Sequence, residues 1–292
     1  MFRIKVPATS ANLGPGFDTV AVAFNLFNVF EFSKDKNYSV IGFEDRFNID
    51  HNLVLDSYKK TIILSGKKLS EYRVKISLIK QNIPTSRGLG SSASCVVAGV
   101  FAANYLLDNY FSINECIKIA TDIEGHIDNV AAAVLGGLTT SYKVEDNYIS
   151  TTYNVSDNLK FAVTFPNIEL STTMSRKVIP MSLSYSDIIF NLSRAIQLIP
   201  AFESGDMTLL KDILNDKLHE PYRLPLIDNA ETVYQLASNN KLARCLSGSG
   251  PSILLISNNE LNINNITTSL VNLKWTILNL KVCNYKVTIE KI

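Results

Sequence analysis

The sequence has little excess of either charge and few histidines, and each shortage excludes a class of function. Its 28 Lys and Arg residues against 27 Asp and Glu residues leave a formal net charge of +1 over 292 residues. A nucleic-acid-binding surface or a polybasic membrane anchor needs a clustered basic excess, so neither is expected. The three histidines, His51, His126 and His219, form no HExxH motif, which argues against a His-based zinc site.

Cysteines and long hydrophobic runs are also scarce. Cys95, Cys116, Cys245 and Cys283 are widely spaced and form no CxxC pair, which is typical of buried thiols in a reducing compartment. The longest apolar run, residues 93–107, is shorter than the ~20 residues that a membrane helix needs. The N-terminus shows no signal-peptide core. We therefore expect a cytoplasmic protein that contacts neither nucleic acid nor membranes.

Hydrophobic residues make up 46% of the chain, enough for a sizeable core. Periodicity predicts strands and helices in mixed order, without strict βα alternation, which favours an α+β protein. We predict two lobes, residues 1–155 and residues 156–292. Within them we expect a first strand over residues 2–6, a helix over residues 270–278 and a final strand over residues 281–290.

Three loops rich in glycine and serine are the strongest local signals: NLGPGFD at residues 12–18, SRGLGSS at residues 86–92 and SGSGPS at residues 247–252. The second loop precedes a predicted helix, whose free N–H groups and positive dipole end suit a phosphate. It lacks the Lys of a Walker loop and the third glycine of a dinucleotide fingerprint. Each loop alone is typical of an ordinary turn, but together they predict one phosphate-handling cleft.

In this order the loops resemble the motifs of the GHMP small-molecule kinases, and among these the homoserine kinases. The resemblance extends over essentially the whole chain and includes VPATSANLGPGFD (residues 6–18), EGHIDN (residues 124–129) and HEPYR (residues 219–223). Ile127 and Ile179 depart from the usual Pro and Leu, and neither side chain is functional. The resemblance implies an N-terminal lobe similar to ribosomal protein S5 domain 2, a ferredoxin-like C-terminal lobe and an active site between them.

The resemblance also implies the substrates, ATP and L-homoserine, and the residues that bind them. For ATP these are Pro84, Ser86, Arg87, Gly88, Leu89, Gly90, Ser91 and Ser92, with Asn52 and Val54 near the adenine. For the amino acid they are Asn12, Asp18, His126, Thr172, Arg176 and Arg223. Mg²⁺ is assigned to the Ser92 hydroxyl and the Glu124 carboxylate.

The chemistry of homoserine fits these residue types. Arg176 and Arg223 are candidates for a bidentate clamp on the α-carboxylate, and Asp18 is a natural partner for the α-ammonium. Each has an ordinary alternative, because an arbitrary Arg usually forms a surface salt bridge and Asp18 is placed to cap a turn. ATP-dependent phosphorylation of the homoserine hydroxyl, for threonine biosynthesis, is the predicted reaction.

The sequence offers no obvious catalytic base. The resemblance places Asp128 like a base, but phosphoryl transfer depends mainly on positioning and electrostatic stabilisation. We therefore expect His126 and Asn129 to orient the hydroxyl, with Asp128 as base or as a brace for the loop.

Two alternatives and the state of assembly stay open. Another GHMP kinase would act on mevalonate or a related isoprenoid precursor, which has no ammonium group for Asp18. A non-catalytic protein of the same fold would bind ATP without turnover. A homodimer is the expected assembly, because two-fold dimers are the commonest oligomers.

Overall fold

A seven-stranded sheet and a four-stranded sheet organise the chain in the computed structural model, which describes residues 1–292. The strands are β1 (Phe2–Ala11), β2 (Val20–Lys34), β3 (Ser39–Ile41), β4 (Val74–Gln81), β5 (Leu138–Val144), β6 (Asn147–Tyr153), β7 (Lys160–Pro166), β8 (Ala243–Leu246), β9 (Ile253–Ser257), β10 (Trp275–Leu280) and β11 (Thr288–Lys291). The predicted α+β class is confirmed.

Eleven α-helices accompany the two sheets. They are α1 (Leu53–Leu64), α2 (Ser91–Leu106), α3 (Ile113–Glu124), α4 (Ile127–Leu135), α5 (Thr172–Lys177), α6 (Tyr185–Ala195), α7 (Leu198–Ser204), α8 (Met207–Ile213), α9 (Glu220–Arg223), α10 (Ala230–Asn239) and α11 (Glu260–Asn272). No helix is long and apolar enough to cross a membrane.

The larger sheet has the strand order β11-β1-β2-β4-β3, and β5 joins β2 while β6 pairs with β5. Helices α1 to α4 pack with it around a core of 29 buried residues. The Ala- and Val-rich α2 lies inside this core. Gly99 lets it approach α1 closely, because a Cβ there would lie 2.3 Å from the carbonyl oxygen of Val54. This packing fixes the start of α2, where the phosphate loop is predicted.

The smaller sheet is antiparallel, in the order β10-β7-β9-β8. Helices α5 to α10 connect β7 to β8, and α11 connects β9 to β10, which gives the βαββαβ order of a ferredoxin-like lobe. A core of 23 residues joins the two lobes, since it contains Phe24 of β2 together with Phe161 of β7 and Leu254 of β9. The lobes are therefore packed against each other, with a cleft at their junction.

Three sequence-based boundaries are wrong. Strand β1 continues to Ala11 instead of ending at Val6, because it pairs with β2 through an irregularity at Pro7, where a residue without N–H is tolerated. The region predicted as a helix over residues 270–278 contains the end of α11 and most of β10. The final strand covers only Thr288–Lys291. It is therefore much shorter than the predicted strand over residues 281–290 and ends one residue later.

The last strand crosses back to the first lobe. Strand β11 pairs antiparallel with β1, with Phe2 opposite Lys291. The first and last strands of the chain therefore lie side by side in the larger sheet. The division at residue 155 stays a prediction, and β11 is a C-terminal segment held by the N-terminal sheet.

Candidate active site

A cleft of about 350 Å³ lies at the junction of the lobes. It brings together these residues that the sequence predicted: Asn12, Asp18, Asn52, Val54, Ser86, Arg87, Gly88, Gly90, Ser91, Ser92, Glu124, His126, Asp128, Asn129, Thr172, Arg176 and Arg223. Two predicted residues, Pro84 and Leu89, are not among its lining residues. The Leu89 side chain is fully buried in the core between the lobes.

The loop 86–92 presents its main chain to this cleft. Gly88 and Gly90 both have φ of 68°, in the left-handed region that favours glycine. Gly90 is the N-cap of α2, and Ser91 and Ser92 form the first turn. The first N–H groups of a helix have no partner inside the helix, so they and the positive dipole end are available to an anion in the cleft.

The third glycine loop, residues 247–252, supports this phosphate loop. Ser247 Oγ donates to the carbonyl oxygen of Gly88 at 2.6 Å, and Ser252 Oγ donates to that of Arg87. A Cβ on Gly88 would lie 2.1 Å from the carbonyl oxygen of Ser247. The loops predicted to meet at one cleft do meet, and the third one holds the second in place by packing and hydrogen bonds.

One end of the cleft is apolar. Phe30, Phe43, Phe47 and Leu78 line it, and sequence reasoning missed all four because they come from separate strands and turns. Asn52, beside them, caps α1 by accepting from the N–H of Leu55 and donating to the carbonyl oxygen of Phe47. This end offers flat hydrophobic surface of the kind that a purine ring needs.

Ser92 and Glu124 form a pair next to the phosphate loop. Ser92 Oγ donates to Glu124 Oε2 at 2.8 Å. Burial, opposed in part by the Ser92 hydrogen bond and aided by the Asp128 charge, raises the pKa of Glu124 to about 7. No group of three His, Cys, Asp or Glu side chains is placed to hold a metal ion. One carboxylate and one hydroxyl are oxygen ligands that fit Mg²⁺, which takes its other ligands from phosphates and water.

Asp128 and Asn129 form a hydrogen-bonded unit at the start of α4. Asp128 Oδ1 accepts from the Asn129 N–H at 2.7 Å and from its Nδ2 at 3.3 Å. Asn129 Oδ1 accepts from the hydroxyl of Thr9 at 2.7 Å. Burial raises the pKa of Asp128 to about 6. Burial and the nearby Arg176 charge lower the pKa of His126, which is therefore neutral at physiological pH.

Asp18 and Arg176 contact each other. Their carboxylate and guanidinium form a bidentate pair with distances of 2.9 and 2.8 Å, although the sequence assigned them to opposite ends of one ligand. The hydrogen bonds to Asp18 raise the pKa of Arg176. Asn12 holds this corner, because its Oδ1 accepts from the Asp18 N–H and its Nδ2 donates to the carbonyl oxygen of Gly248. Both charges of the pair remain partly exposed to the cleft.

Arg223 differs from Arg176, because its side chain is buried and forms no ion pair with a carboxylate. Its residue is 1% exposed, and its guanidinium donates to the carbonyl oxygens of Ser175 and Gly248. Burial lowers its pKa to about 10, and the Arg176 charge acts in the same direction. A buried cation without a counterion is costly, so this corner of the cleft favours an anionic group.

Phe17 connects the two guanidiniums. The Arg176 and Arg223 carbons Cζ lie 5.3 and 5.1 Å from its ring centroid, and the His219 ring stacks on it at 5.2 Å. His219 Nε2 is within 2.9 Å of the carbonyl oxygen of Gly14. Sequence reasoning missed Phe17, although it lies inside the 12–18 loop. Its ring face positions both cations.

Comparisons with known proteins agree with this geometry. Residues 52–137 match the profile of the GHMP kinases N terminal domain and residues 198–274 that of the GHMP kinases C terminal domain. A homoserine kinase of Clostridium acetobutylicum is 41% identical over 260 residues, which cover 88% of this chain and 87% of that protein. The chain belongs to the GHMP kinases. As a member of a kinase family it uses ATP, and the predicted family and fold class are confirmed.

Two further comparisons extend over almost the whole of this GHMP kinase. A homoserine kinase of Clostridium beijerinckii is 38% identical over 295 residues, with 99% of this chain and 98% of that protein covered. The crystal structure of a homoserine kinase from Cytophaga hutchinsonii has a TM-score of 0.85 at 24% identity and covers 99% and 96% of the two chains. That structure supports the fold, and the roles of single site residues remain predictions.

Proposed function

We propose that this GHMP kinase transfers the terminal phosphoryl group of ATP to the side-chain hydroxyl of L-homoserine, giving O-phospho-L-homoserine for threonine biosynthesis. The observation that carries the proposal is a carboxylate and two guanidiniums, Asp18, Arg176 and Arg223, in the same cleft as a helix-starting glycine loop. The two Clostridium homoserine kinases, 41% and 38% identical, support it over most of the chain.

The amino acid binds by exchanging ion partners. Its α-carboxylate supplies the counterion that Arg223 lacks and takes one side of the Arg176 guanidinium. Its α-ammonium takes the place of Arg176 beside Asp18. Three single charges then hold the two ends of a zwitterion, which leaves the side-chain hydroxyl directed into the cleft. After the exchange every charged group contacts one of opposite sign, with the two guanidiniums sharing one carboxylate, so binding leaves no ion without a partner.

ATP occupies the rest of the cleft. The main-chain N–H groups of the loop 86–92 and the first turn of α2 bind its phosphates, and the adenine lies in the apolar end near Asn52 and Val54. Ser92 and Glu124 would hold Mg²⁺. When bound, the ion neutralises charge on the phosphate oxygens. Glu124 must be ionised for this role, which sets a lower limit on the working pH.

The residues at the start of α4 orient the hydroxyl. Thr9 and Asp128 fix the Asn129 amide by hydrogen bonds. This amide and the neutral His126 ring face the cleft and can hold the hydroxyl oxygen in line with the phosphoryl group. Asp128 braces Asn129 in this proposal instead of removing the proton.

A general base contributes about 10²- to 10⁴-fold to a rate, so Asp128→Asn is expected to reduce kcat by less than about 100-fold. A loss above about 10³-fold at unchanged KM would make Asp128 the base.

An ADP-release assay over a panel of alcohols tests the proposed substrate. L-homoserine is expected to give the highest kcat/KM, with L-serine and L-threonine lower. Mevalonate, which has no ammonium to take the place of Arg176 beside Asp18, should fall at least about 100-fold lower, because a site that pairs with a polar group of its substrate discriminates strongly against an analogue that lacks the group. Equal use of mevalonate would contradict the proposal, and ATP binding without turnover of any alcohol would indicate a non-catalytic protein.

The proposal also covers the cellular compartment and the oligomeric state. The four free cysteines, three of them buried, suit the reducing conditions of the cytoplasm. A homodimer is the proposed assembly, since closed two-fold symmetry is the commonest arrangement of soluble oligomers.

A further inference from the structure

His219 is a buried histidine behind the cleft, at the corner that holds Arg223. It is 0% exposed and is not one of the residues that line the cleft. Its Nε2 lies 2.9 Å from the carbonyl oxygen of Gly14, and its Nδ1 lies 3.4 Å from Nη1 of Arg223. The ring therefore lies between the loop 12–18 and the guanidinium of Arg223, and both ring nitrogens have a partner.

The two partners determine which ring nitrogen carries the proton. A carbonyl oxygen can only accept a hydrogen bond, and a guanidinium can only donate one. Nε2 of His219 must therefore donate to Gly14, and Nδ1 must accept from Arg223. A doubly protonated ring would direct an N–H of Nδ1 at an N–H of Arg223. The contacts thus select one neutral tautomer, with the proton on Nε2.

The charges around the ring agree with a neutral His219. Burial lowers the pKa of His219, and the Arg223 charge acts in the same direction, whereas the Asp216 and Asp18 charges oppose the shift. Asp216 Oδ2 is 3.7 Å from Nε2, beyond hydrogen-bonding distance. It already accepts from the main-chain N–H groups of His219 and Glu220 at 2.7 and 2.8 Å. Asp216 therefore fixes the start of α9 instead of forming a hydrogen-bonded ion pair with the ring.

The contacts of Arg223 leave one nitrogen of its guanidinium available. Nε donates to the carbonyl oxygen of Ser175 at 3.2 Å, and Nη1 donates to Nδ1 of His219 and to the carbonyl oxygen of Gly248 at 3.3 Å. Nη2 has no acceptor within the chain. Because a guanidinium is planar and rigid, the acceptors of Nε and Nη1 also set the direction of Nη2, and its two N–H groups stay available to a ligand.

We propose that His219 is a positioning residue for the amino-acid substrate: its neutral ring holds Arg223 so that Nη2 of the guanidinium meets the α-carboxylate. The ring also stacks on Phe17, with centroids 5.2 Å apart, and Phe17 precedes Asp18, the proposed partner of the α-ammonium. His219 thereby fixes Arg223 relative to Asp18 and sets the spacing between the groups that hold the two ends of the zwitterion. This inference rests on the proposed function and adds to it a residue that does not touch the substrate.

Two amide substitutions separate the roles of the two ring nitrogens. Asparagine can place its amide oxygen where Nδ1 lies and so retains the acceptor for Arg223, whereas glutamine can place its amide nitrogen where Nε2 lies and retains only the donor to Gly14. His219→Gln should raise KM for homoserine at least about tenfold, because hydrogen bonds to charged groups are among the stronger ones. His219→Asn should stay within about threefold of the wild type. Initial rates over a homoserine series at saturating ATP measure both, and KM for ATP should be unchanged in both variants.

The amino alcohol 3-aminopropanol, which is homoserine without its α-carboxylate, distinguishes positioning from a general loss of structure. Arg223 has no carboxylate to hold in this compound. His219→Gln should therefore leave the inhibition constant of 3-aminopropanol against homoserine within about twofold of the wild type. That constant is measurable whether or not the amino alcohol is itself phosphorylated. A variant that merely packs poorly would lose affinity for both compounds.

Nitrogen NMR of the histidine rings tests the tautomer without an activity measurement. The signals of His219 are assigned by their absence in His219→Asn, and at neutral pH they should show one protonated and one unprotonated ring nitrogen. Two protonated nitrogens would mean a charged ring paired with Asp216 and would overturn the inference.

The kinetic outcomes separate this inference from the proposed function. Phosphorylation of homoserine by the wild type, with equal KM values in the two amide variants, would overturn the role of His219 alone. Loss of affinity for 3-aminopropanol in parallel with homoserine would also overturn it, since the defect would then not concern the carboxylate. A wild-type chain that phosphorylates no homoserine would overturn the proposed function, and this inference with it.

Discussion

The two ends of the cleft differ in the chemical groups that they present to a ligand. At the phosphate end, defined by residues 86–92, the proposed binding groups are main-chain N–H groups, and Ser247 and Ser252 donate hydrogen bonds to carbonyl oxygens of this loop. At the amino-acid end, defined by Asp18, Arg176 and Arg223, the proposed binding groups are charged side chains. One pair neutralises itself, and the third charge has no counterion.

This difference has a physical cause. Backbone groups have no side-chain rotamers to order, so a loop packed to contact distance binds phosphate with little reorganisation. A side chain that carries a full charge is costly to bury without a partner, so Asp18 and Arg176 neutralise each other, whereas Arg223 is held only by uncharged acceptors. The phosphate end should therefore be sensitive to backbone shape, and the amino-acid end to the balance of charges.

Gly88→Ala should have the largest effect and act at the phosphate end. The new Cβ would lie 2.1 Å from the Ser247 carbonyl oxygen at a φ of 68°, so either loop must move. A displacement of about 1 Å in an active site can cost about 100-fold in rate, and kcat/KM for ATP should fall at least that far. Steady-state kinetics at saturating homoserine measures the loss.

Gly66→Ala is the matched control for that variant. Gly66 has a similar φ of 74° but no atom within 4 Å of the added Cβ, so it shares the backbone strain without the clash. Its thermal stability should fall slightly, with kcat/KM for ATP unchanged. Equal activity of the two alanine variants would show that the backbone of the phosphate end is adaptable, contrary to the comparison.

Arg223→Ala should have the next largest effect, confined to the amino-acid end. Truncation of one partner in a buried, hydrogen-bonded charge pair costs about 3 kcal/mol, so KM for homoserine should rise about 100-fold. Arg176→Ala should raise it only about tenfold, because this Arg is partly exposed and its loss frees Asp18 for the ammonium. Initial rates over a homoserine series at fixed ATP separate the two variants.

The KM for ATP is the control in both Arg variants and should stay within about twofold, because in the proposed mode the loop 86–92 binds phosphate through its own main chain. Parallel increases in the KM of both substrates would mean that the two ends are not independent. An Arg176 effect larger than that of Arg223 would contradict the assignment of the buried cation as the main carboxylate partner.

The phosphate end could be predicted from the sequence because its parts are local. The glycines, the serines and the start of α2 are contiguous within residues 86–93, and their conformational preferences are properties of those residues themselves. The same holds for the capping box at the start of α3, in which Ser112 and Glu115 satisfy each other's main-chain N–H groups. Local chemistry is sufficient wherever a few neighbouring residues supply every contact.

The amino-acid end could be predicted only in its residue types. Asp18 and Arg176 are 158 positions apart, and no sequence pattern reports that they pair when the ligand is absent. The burial of Arg223 and the ring of Phe17 beneath both guanidiniums depend on how the lobes pack.

The pH response should differ between the two ends, with a smaller effect than the Arg variants at pH 7. Burial raises the pKa of Glu124 to about 7, so the carboxylate is increasingly protonated below pH 7 and loses its capacity to hold Mg²⁺. kcat/KM for ATP should therefore fall about tenfold per pH unit below this value. Arg223, with a pKa of about 10, keeps its charge throughout.

Added Mg²⁺ distinguishes Glu124 from other groups that titrate. If Glu124 holds the metal as proposed, Mg²⁺ competes with the proton for the carboxylate, and a higher Mg²⁺ concentration should move the midpoint of the profile to lower pH. Glu124→Gln should remove this dependence on Mg²⁺. A midpoint that is independent of Mg²⁺ would contradict the assignment of Glu124 to the metal.

Ser247→Ala should have the smallest effect and measures how far the support loop fixes the phosphate end. The variant removes one hydrogen bond to the Gly88 carbonyl oxygen but keeps the packing between the two loops. A hydrogen bond of this kind contributes about 1 kcal/mol, so KM for ATP should rise severalfold with KM for homoserine unchanged. Ser238→Ala, which removes a bond within α10, is the control and should leave both constants unchanged. An equal rise in both constants after Ser247→Ala would mean that the change also reaches the amino-acid end. The Gly248 carbonyl oxygen, which accepts from Arg223 and Asn12, would be the connecting group. The two ends of the cleft would then not be independent of each other.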